Sequence, residues 1–337
     1  MSAALERALS GAVFSRAEMR VLVREIMSGA LDEVQIAALL AAFRTRGETL
    51  DEIVGAAEAM RELALPLPEA PAGAIDTCGT GGDGANTFNI STVSAIVVAG
   101  AGVPVAKHGN RAASSRCGSA ELLEALGVAI EIPPQAMARA VGEIGFGFLY
   151  ARVCHPAMAR VAPVRAKLGV RTIFNRLGPL TNPMRVRRQL VGVATAALVE
   201  PTLAALIELG VERAWVVHGQ DGLDELSISA PTRVAAYADG RAEHFIVGHG
   251  DLVPASPREQ IVGGDAAENA RIARAVLGGE KGPRRDAVLL NSAAALCVAG
   301  RAPDLRAGIA ISEQALDSGR ASELLERFVA FTRGASR

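Results

Sequence analysis

A glycine-rich segment, GTGGDG at residues 79–84, follows the short apolar run 74–78. Its G-x-G-x-x-G spacing is that of a dinucleotide-binding loop, but such a loop opens a helix directly and is followed by an acidic residue after the next strand. Here ANTFNIST (85–92) intervenes, and the next strand, VPVAKH, ends in Lys107 and His108. A Walker A loop is excluded as well, because no Gly-Lys-Ser/Thr follows. The loop therefore does not have the features of a nicotinamide site.

The same loop has the features of an anion site. Glycines let backbone N–H groups approach a phosphate closely, and the N-terminus of the helix expected near 89–92 adds partial positive charge. Ser91 and Thr92 add hydroxyl groups that can bind phosphate oxygens or a metal ion held by them. The glycines alone are equally compatible with a tight turn followed by a helix cap.

A second polar segment, KHGNRAASSRCGSAELLEALG at 107–127, leaves a predicted strand and leads into an amphipathic helix. In a parallel sheet, the loops at the carboxyl ends of neighbouring strands converge on one crevice. Two such loops rich in Gly, Ser, Thr and Asn, one of them with Lys and Arg, suit a substrate that carries several phosphates.

A third segment, VVHGQDGLDELS at 216–227, runs from an apolar strand into a loop with Asp221, Asp224 and Glu225. Neighbouring carboxylates are oxygen ligands for Mg²⁺, which can bridge them to a diphosphate. Acidic loop residues are more often simply solvated, so this spacing alone does not decide for a metal.

The elements that must position these loops form two regions of different character. Residues 1–65 predict three short amphipathic helices, with capping-box spacing at Ser15/Glu18 and at Thr49/Glu52. The segment LPLPEAPAG (65–73) contains three prolines and reads as a hinge or linker. The predicted apolar helix faces are Met19, Leu22, Val23 and Ile26 in one helix and Ile36, Leu39, Leu40 and Phe43 in another.

Beyond the linker, short β-rich runs alternate with Ala/Leu-rich helical segments. The runs 74–77, 103–108, 128–132 and 213–219 predict strands. The fold class is therefore α/β: a small N-terminal helical domain hinged to a larger α/β domain, 74–337, with a mostly parallel central sheet.

Composition limits the function classes. The chain has 337 residues, half of them hydrophobic, a formal net charge of −1 and 4% aromatic residues. This balance argues against nucleic-acid binding and a polybasic membrane anchor. The longest apolar stretch, 93–106, is too short to span a bilayer. The four cysteines have no C-x-x-C spacing and the N-terminus has no signal-like apolar core, so we expect a cytoplasmic protein with reduced thiols.

Four segments together, 79–92, 107–127, HPAMARVAPVRAKLGVRTIFNRLGPLTNP (155–183) and 218–227, resemble those of the anthranilate phosphoribosyltransferases of tryptophan biosynthesis. The resemblance extends nearly from end to end, through NSAAALCVAG (291–300). It implies a fold of the nucleoside phosphorylase/phosphoribosyltransferase type, in which part of 156–185 returns to the helical domain. It also implies a homodimer formed through the helical domains, with Mg²⁺ as cofactor.

The resemblance implies a reaction and its site. Anthranilate would take the phosphoribosyl group of phosphoribosyl pyrophosphate (PRPP) on its amine with inversion, without a covalent nucleophile, as the domains close on a hinge at 65–73. The implied PRPP-binding residues are Gly79, Gly82, Asp83, Thr87, Asn89, Ile90, Ser91, Thr92, Lys107, His108, Gly109, Asn110, Arg111, Ala112, Ala113, Ser114, Ser115 and Ser119. The implied anthranilate-binding residues are Gly79, His108, Asn110, His155 and Arg165. The implied Mg²⁺ ligands are Ser91, Asp224 and Glu225.

Two departures from the family pattern and two alternatives stand beside this interpretation. Cys117 replaces a serine, and FLYAR (148–152), which we read as a turn, replaces FLFAP. A pyrimidine nucleoside phosphorylase shares the architecture and a similar glycine-rich loop, and a requirement for Mg²⁺ would separate the two activities. A non-enzymatic relative that binds nucleic acid would require eroded motifs and a basic surface.

Overall fold

Four helices make up the N-terminal region of the protein. The structure is a computed structural model that describes residues 3–112, 116–248, 250 and 252–336. The helices are α1 (Ala3–Leu9), α2 (Arg16–Ser28), α3 (Glu33–Arg46) and α4 (Leu50–Leu63). The sequence predicted three, and the additional one, α1, has only seven residues, too few to give a helical period.

The predicted caps and apolar faces of this region are confirmed. Ser15 with Glu18 and Thr49 with Glu52 form reciprocal capping boxes at the starts of α2 and α4. The buried residues of α2 and α3 include all eight that the helical period selected. Burying such a stripe is what stabilises a short helix in a protein, because propensity alone leaves helices of this length marginal.

The linker 65–73 has no helix or strand, but its backbone is held at two points. The Leu65 N–H donates to the Cys154 carbonyl at 2.9 Å, and the Ala70 N–H donates to the Met184 carbonyl at 3.0 Å. The linker therefore runs along the segment that leads into and out of the 155–183 motif.

A seven-stranded sheet forms the centre of the α/β region. Its strands are β1 (Ile75–Gly79), β2 (Val105–Gly109), β3 (Phe146–Tyr150), β4 (Arg188–Gly192), β5 (Arg213–Gly219), β6 (Thr232–Ala238) and β7 (Arg241–Val247). Their spatial order is β3-β2-β1-β4-β5-β6-β7, parallel from β3 to β5 and antiparallel at β6 and β7. The predicted fold class is confirmed.

One strand prediction and one turn prediction are wrong. The run 128–132 is not a strand: its alternate apolar residues are buried, but the backbone turns there and Pro133-Pro134 begins the next helix. The turn predicted at 148–152 is instead the end of β3 followed by a short helix. Alternating burial does not distinguish a strand from a turn packed on the core, whereas a proline at the first helical position favours a helix start.

Helices cover both faces of the sheet. The helices that follow the bundle are α5 (Ile90–Gly100), α6 (Ser119–Ala125), α7 (Pro134–Glu143), α8 (Ala151–Cys154), α9 (Ala162–Leu168), α10 (Phe174–Leu177), α11 (Val199–Glu208), α12 (Ala266–Leu277), α13 (Pro283–Val298), α14 (Leu305–Asp317) and α15 (Arg320–Ala335). One apolar core joins β2 and β3 to α5, α13, α14 and α15. The other joins helices α1–α4, segment 161–180 and α11 to side chains of β4 and β5.

No helix within the described ranges is both long and apolar enough to cross a membrane.

Candidate active site

The strand order reverses beside β1. Strands β2 and β3 lie on one side of β1, whereas β4, the next strand along the chain, lies on its other side. Gly79 of β1 pairs with Gly192 of β4. The loops that leave the carboxyl ends of such neighbours diverge and leave a crevice between them. Gly79, predicted for both substrates, ends β1 at this crevice.

The glycine-rich loop is held across the crevice by backbone hydrogen bonds. The Thr80 N–H donates to the Gly192 carbonyl at 2.9 Å, and the Gly81 N–H donates to Asp224 Oδ2 at 3.1 Å. Gly82 has a φ of +77°, a backbone conformation that L-residues with a side chain rarely adopt. Helix α5 begins at Ile90, within the predicted range, and its first turn faces the same crevice.

The acidic loop after β5 meets this helix start. Glu225 Oε1 accepts the backbone N–H of Ser91 at 3.0 Å, and Asp83 Oδ2 accepts the backbone N–H of Asp224 at 3.4 Å. The three residues predicted as metal ligands, which lie up to 134 positions apart, are thereby brought together.

Both carboxyls of this loop hold their protons more tightly than usual. Burial, followed by the nearby charge of Asp83, raises the pKa of Asp224 to about 7. Burial, followed by the charge of Asp224, raises the pKa of Glu225 to about 8. Carboxylates crowded in this way are stabilised in their charged form by a nearby cation.

The donor set fits Mg²⁺ bound together with a phosphate ligand. Within the described residues, no group of three or more His, Cys, Asp or Glu side chains is arranged to hold a metal ion by itself. Mg²⁺ differs from metals that need a complete protein cage, because it commonly binds one or two carboxylates, water and substrate phosphates. Two adjacent carboxylates, one of which accepts the Ser91 backbone N–H, match that pattern.

No sequence pattern pointed to the residue that holds the acidic loop. Asn291 of α13 is fully buried and pairs reciprocally with the backbone of Leu226: its Oδ1 accepts the Leu226 N–H and its Nδ2 donates to the Leu226 carbonyl, both at 2.9 Å. Its segment was part of the family resemblance, but an asparagine inside a helix has no chemical signature until its partner is known.

Lys107 and His108 are adjacent in β2 and serve opposite faces of the sheet, as successive strand residues do. Lys107 is 2% exposed, and its Nζ donates to the Thr77 carbonyl and, at 3.3 Å, to Ser91 Oγ. His108 turns toward the 155–183 segment, where its Nδ1 lies 3.0 Å from the Gly178 carbonyl oxygen. Burial lowers the pKa of the Lys107 ammonium.

The second predicted loop lies against the first. Ser119 Oγ donates to the Asn110 carbonyl at 3.1 Å, and Asn89 Nδ2 donates to the Cys117 carbonyl at 3.0 Å. Gly109 permits this proximity, because a Cβ there would lie 2.4 Å from Ser119 Oγ. Cys117 is buried, which raises its pKa to about 11, consistent with a small neutral replacement for serine.

Other members of the predicted donor set are distributed around these two loops. Ala113, Ser114 and Ser115 lie outside the described residues. Thr87 forms a bridge to Val262. Thr92 is buried in the first turn of α5.

Arg111 is held on the α6 side of its loop. Its guanidinium makes two 2.7 Å hydrogen bonds to Glu124, and its Nε donates to the Tyr150 hydroxyl at 3.0 Å. Tyr150 is one of the departures noted in FLYAR, so this chain holds Arg111 with a hydroxyl that a phenylalanine lacks. The Ala112 N–H donates to the Glu121 carboxylate, which fixes the adjacent backbone.

Three of the five residues predicted for anthranilate, His108, His155 and Arg165, lie on the other face, whereas Gly79 and Asn110 lie with the donor loops. The rings of His108 and His155 are 5.1 Å apart between centroids, and both are buried. Burial, with the neighbouring imidazole, lowers the pKa of His108 to about 3, and burial lowers that of His155 to about 4. Arg165 is half-buried with its guanidinium 5.9 Å from the Phe174 ring centroid, and burial lowers its pKa. No carboxylate in the described part of the chain forms an ion pair with Arg165.

One buried carboxylate connects the two faces and was not predicted from the sequence. Asp76 Oδ1 accepts the His108 backbone N–H at 3.1 Å, and its Oδ2 accepts Asn182 Nδ2 at 2.9 Å. Asn182 Nδ2 also donates to the Ala106 carbonyl at 2.8 Å. The LTNP end of the 155–183 segment is thereby fixed to β1 and β2.

Comparison with known families agrees with this architecture. Residues 2–64 match the helical bundle domain of a glycosyl transferase family, and residues 72–322 match the a/b domain of a glycosyl transferase family. The fold and the crevice therefore belong to a two-part glycosyl transferase that consists of a helical bundle and an α/β domain.

Full-length relatives identify the particular family. An anthranilate phosphoribosyltransferase of Symbiobacterium thermophilum is 50% identical and one of Desulfosudis oleivorans is 51% identical, each over 98% of both chains. The crystal structure of the Thermus thermophilus enzyme superposes with a TM-score of 0.93 at 47% identity, covering 98% of this chain and 100% of that one. The chain belongs to the anthranilate phosphoribosyltransferase family.

A more distant solved structure includes ligands. The anthranilate phosphoribosyltransferase of Saccharomyces cerevisiae in complex with PRPP and Mg has a TM-score of 0.89 and 28% identity, and covers 98% of this chain and 97% of that one.

Proposed function

We propose that this chain transfers the phosphoribosyl group of PRPP to the amine of anthranilate, giving N-(5-phosphoribosyl)-anthranilate and pyrophosphate. The observation that carries the proposal is the contact of Glu225 with the Ser91 N–H. This contact brings the acidic loop, the glycine-rich loop and a helix N-terminus to one crevice at the strand-order reversal. The yeast relative that binds PRPP and Mg has the same fold.

The donor side binds and orients the diphosphate. Backbone N–H groups of the glycine-rich loop and the first turn of α5 offer hydrogen bonds to phosphate oxygens. Asn110, Ser119 and the backbone around Arg111 and Ala112 lie on the adjoining loop, from which they would hold the ribose and its phosphate.

Asp224, Glu225 and Ser91 would hold Mg²⁺. When bound there, the ion neutralises negative charge on the diphosphate and on the departing pyrophosphate. The protein's own contribution is to set the geometry: Gly81 fixes the Asp224 carboxylate through its N–H, and Ser91 fixes that of Glu225.

The acceptor side orients anthranilate. Among the described residues no carboxylate pairs with Arg165, so its guanidinium can pair bidentately with the carboxylate of anthranilate. His108 and His155 stay neutral at pH 7 because burial lowers their pKa values, so they add no positive charge beside the aromatic ring. The aromatic amine is itself neutral, so attack on C1 with inversion needs no strong base. Alignment of two bound substrates can supply about 7–11 kcal/mol of the barrier.

Domain closure remains part of the proposal. The linker 65–73 would act as a hinge and the two domains would exclude water when substrates bind. Its two backbone hydrogen bonds, to Cys154 and Met184, lie at either side of the 155–183 segment, so the hinge and the acceptor segment would move together.

Homodimerisation through the helical domain is the second part of the proposal. Leu9, Val13, Val21 and Val34 in that domain are each at least half exposed. Sedimentation should give twice the 34.8 kDa mass of one chain. Val21→Glu should weaken the dimer, while Ile246→Glu on the edge strand β7 should leave it intact. Equal effects of the two changes would place the interface elsewhere.

The reaction is tested by anthranilate fluorescence. We expect an enzyme-dependent decay with PRPP and Mg²⁺ that EDTA abolishes and added Mg²⁺ restores. A flat trace from folded protein would contradict the proposal, and uridine or thymidine with phosphate would then be tested.

A further inference from the structure

We propose that Arg171 is a further donor-site residue whose guanidinium binds the diphosphate of PRPP. Arg171 belongs to the acceptor segment 155–183, and its side chain extends across the cleft to the glycine-rich loop. The inference rests on the proposed function and adds a residue to its site. Arg171 lies between α9 and α10, and its Nη2 donates to the Gly81 carbonyl at 2.7 Å. Its Nη1 lies 3.5 Å from the Gly82 carbonyl oxygen.

The segment that carries Arg171 is fixed to the helical bundle. Lys167 pairs with Glu33 at 2.5 Å, and Arg176 pairs with Glu48 at 3.2 Å. Phe174 of the same segment is buried in the core that includes α2, α3 and α4. Lys167 and Arg176 therefore pair with the bundle, while Arg171 reaches the glycine-rich loop on the other side.

The loop is shaped to receive this guanidinium. A Cβ on Gly82 would lie 3.1 Å from Arg171 Nη2 and 3.2 Å from its Cζ, so a side chain there would press on the group. Gly82 also has a φ of +77°, which disfavours any other residue. The glycine predicted to let a phosphate approach also lets Arg171 lie against the loop.

The charge of Arg171 is not matched by a carboxylate among the described residues. In the described part of the chain, its hydrogen bonds are to two backbone carbonyls and no acidic side chain forms an ion pair with it. A guanidinium has five N–H groups, so several stay available. Because it lies on the loop that would bind the diphosphate, the chemistry it suits is that of phosphate oxygens, which guanidinium groups bind bidentately.

The role follows from this position. A positive group beside the leaving pyrophosphate stabilises charge that develops as the C1–O bond breaks and the amine forms the new C1–N bond. Since Arg171 belongs to the same segment as Arg165, donor binding would also draw the acceptor segment toward the donor loop.

Four variants test the proposal. Arg171→Ala removes charge and hydrogen bonds, Arg171→Gln retains donors without charge, and Arg171→Lys retains charge. Arg160→Ala is the matched control, because Arg160 is an exposed arginine of the same segment whose guanidinium lies by Gly29 at the end of α2. Thermal midpoints verify that each variant is folded.

The measurements are the Kd of pyrophosphate with Mg²⁺ by calorimetry and the KM of each substrate. We expect Arg171→Ala and Arg171→Gln to raise the pyrophosphate Kd and the PRPP KM about tenfold or more, with the anthranilate KM much less affected. Arg171→Lys should recover part of the loss, and Arg160→Ala should match the wild type.

Three results would overturn the proposal: wild-type constants for Arg171→Ala, full recovery by Arg171→Gln, which would mean a neutral tether, or equal rises in both KM values. Failure of the proposed function is distinguishable, because the wild-type protein itself would then show no anthranilate consumption whatever the variants do.

Discussion

The Ser91 backbone N–H and Glu225 Oε1 are 3.0 Å apart, which joins the first turn of α5 to the acidic loop after β5. The contact places a carboxylate at a helix N-terminus, where the helix dipole favours negative charge. Yet burial and the neighbouring Asp224 raise the Glu225 pKa to about 8. The hydrogen bond therefore holds the Glu225 carboxyl group in place, and a bound cation would stabilise its charged form.

Removing either carboxylate should weaken the use of Mg²⁺. For Asp224→Asn and Glu225→Gln we expect kcat/KM for PRPP to fall on the order of 10²-fold, because each variant loses a charged ligand to the ion. The Mg²⁺ concentration for half-maximal rate should rise. The measurement is initial rate against Mg²⁺ at fixed substrates.

Asp221→Asn is the control on the same loop. Asp221 accepts the Ser227 hydroxyl at 2.8 Å, and its carbonyl accepts Arg258, so it has a structural role. The Mg²⁺ dependence of the Asp221→Asn variant should match that of the wild type. A similar Mg²⁺ shift in all three variants would mean that the loop was disturbed as a whole.

Arg165→Ala should affect anthranilate selectively. Loss of a charge-assisted pair with the substrate carboxylate costs about 1.5–3 kcal/mol, which corresponds to an anthranilate KM roughly 10- to 100-fold higher. The PRPP KM should change little. Arg160→Ala is the control, since Arg160 is an exposed arginine of the same segment whose guanidinium lies by Gly29. An equal rise in the PRPP KM would refute the assigned role.

A histidine of the acceptor side should make stability depend on pH. Burial lowers the pKa of His155 to about 4, whereas the unfolded value is near 6.5. The unfolded chain therefore takes up a proton first as pH falls, and the stabilisation, complete above about pH 6.5, is lost progressively toward pH 4. Between pH 7.5 and 5 the loss from this group is about 2 kcal/mol.

The comparison of wild type with His155→Asn tests that contribution. His108, Lys107 and Asp76, the titratable groups around the pair of rings, are present in both proteins. The free energy of unfolding by urea at pH 7.5 and pH 5 should decline less in the variant. Parallel declines would show that His155 is not the group that titrates.

Gly192 should be intolerant of any side chain. A Cβ there would lie 1.6 Å from the backbone carbonyl oxygen of Asp224, so Gly192→Ala must displace the acidic loop. We expect a loss of about 1–3 kcal/mol in unfolding free energy and a higher PRPP KM. Gly142→Ala, on the exposed face of α7 with open space around it, should be neutral or stabilising by about 0.5–1 kcal/mol. Thermal unfolding with steady-state kinetics would detect the contrast, and a wild-type PRPP KM for Gly192→Ala would contradict it.

Much of the protein follows from local physical rules that the sequence displays directly. The buried faces of α2 and α3, two capping boxes and the start of α5 were predicted because periodicity, caps and hydroxyl-rich helix starts are short-range features. The exclusion of a nicotinamide site rested on the residues after the loop alone. The assigned roles of the site residues came from the resemblance and stay predictions.

The tertiary structure decided what depends on distant partners. The run 128–132 was predicted as a strand because its residues are β-rich, but its alternate apolar side chains pack on the core while its backbone turns and pairs with none of the seven strands. Asp76, Asn291 and Arg171 have no local signature, because each side chain contacts a backbone group that only folding brings near it. Short-range periodicity can be recognised in the sequence itself. The partner of a buried polar group depends on strand order and packing, which exist only in the folded molecule.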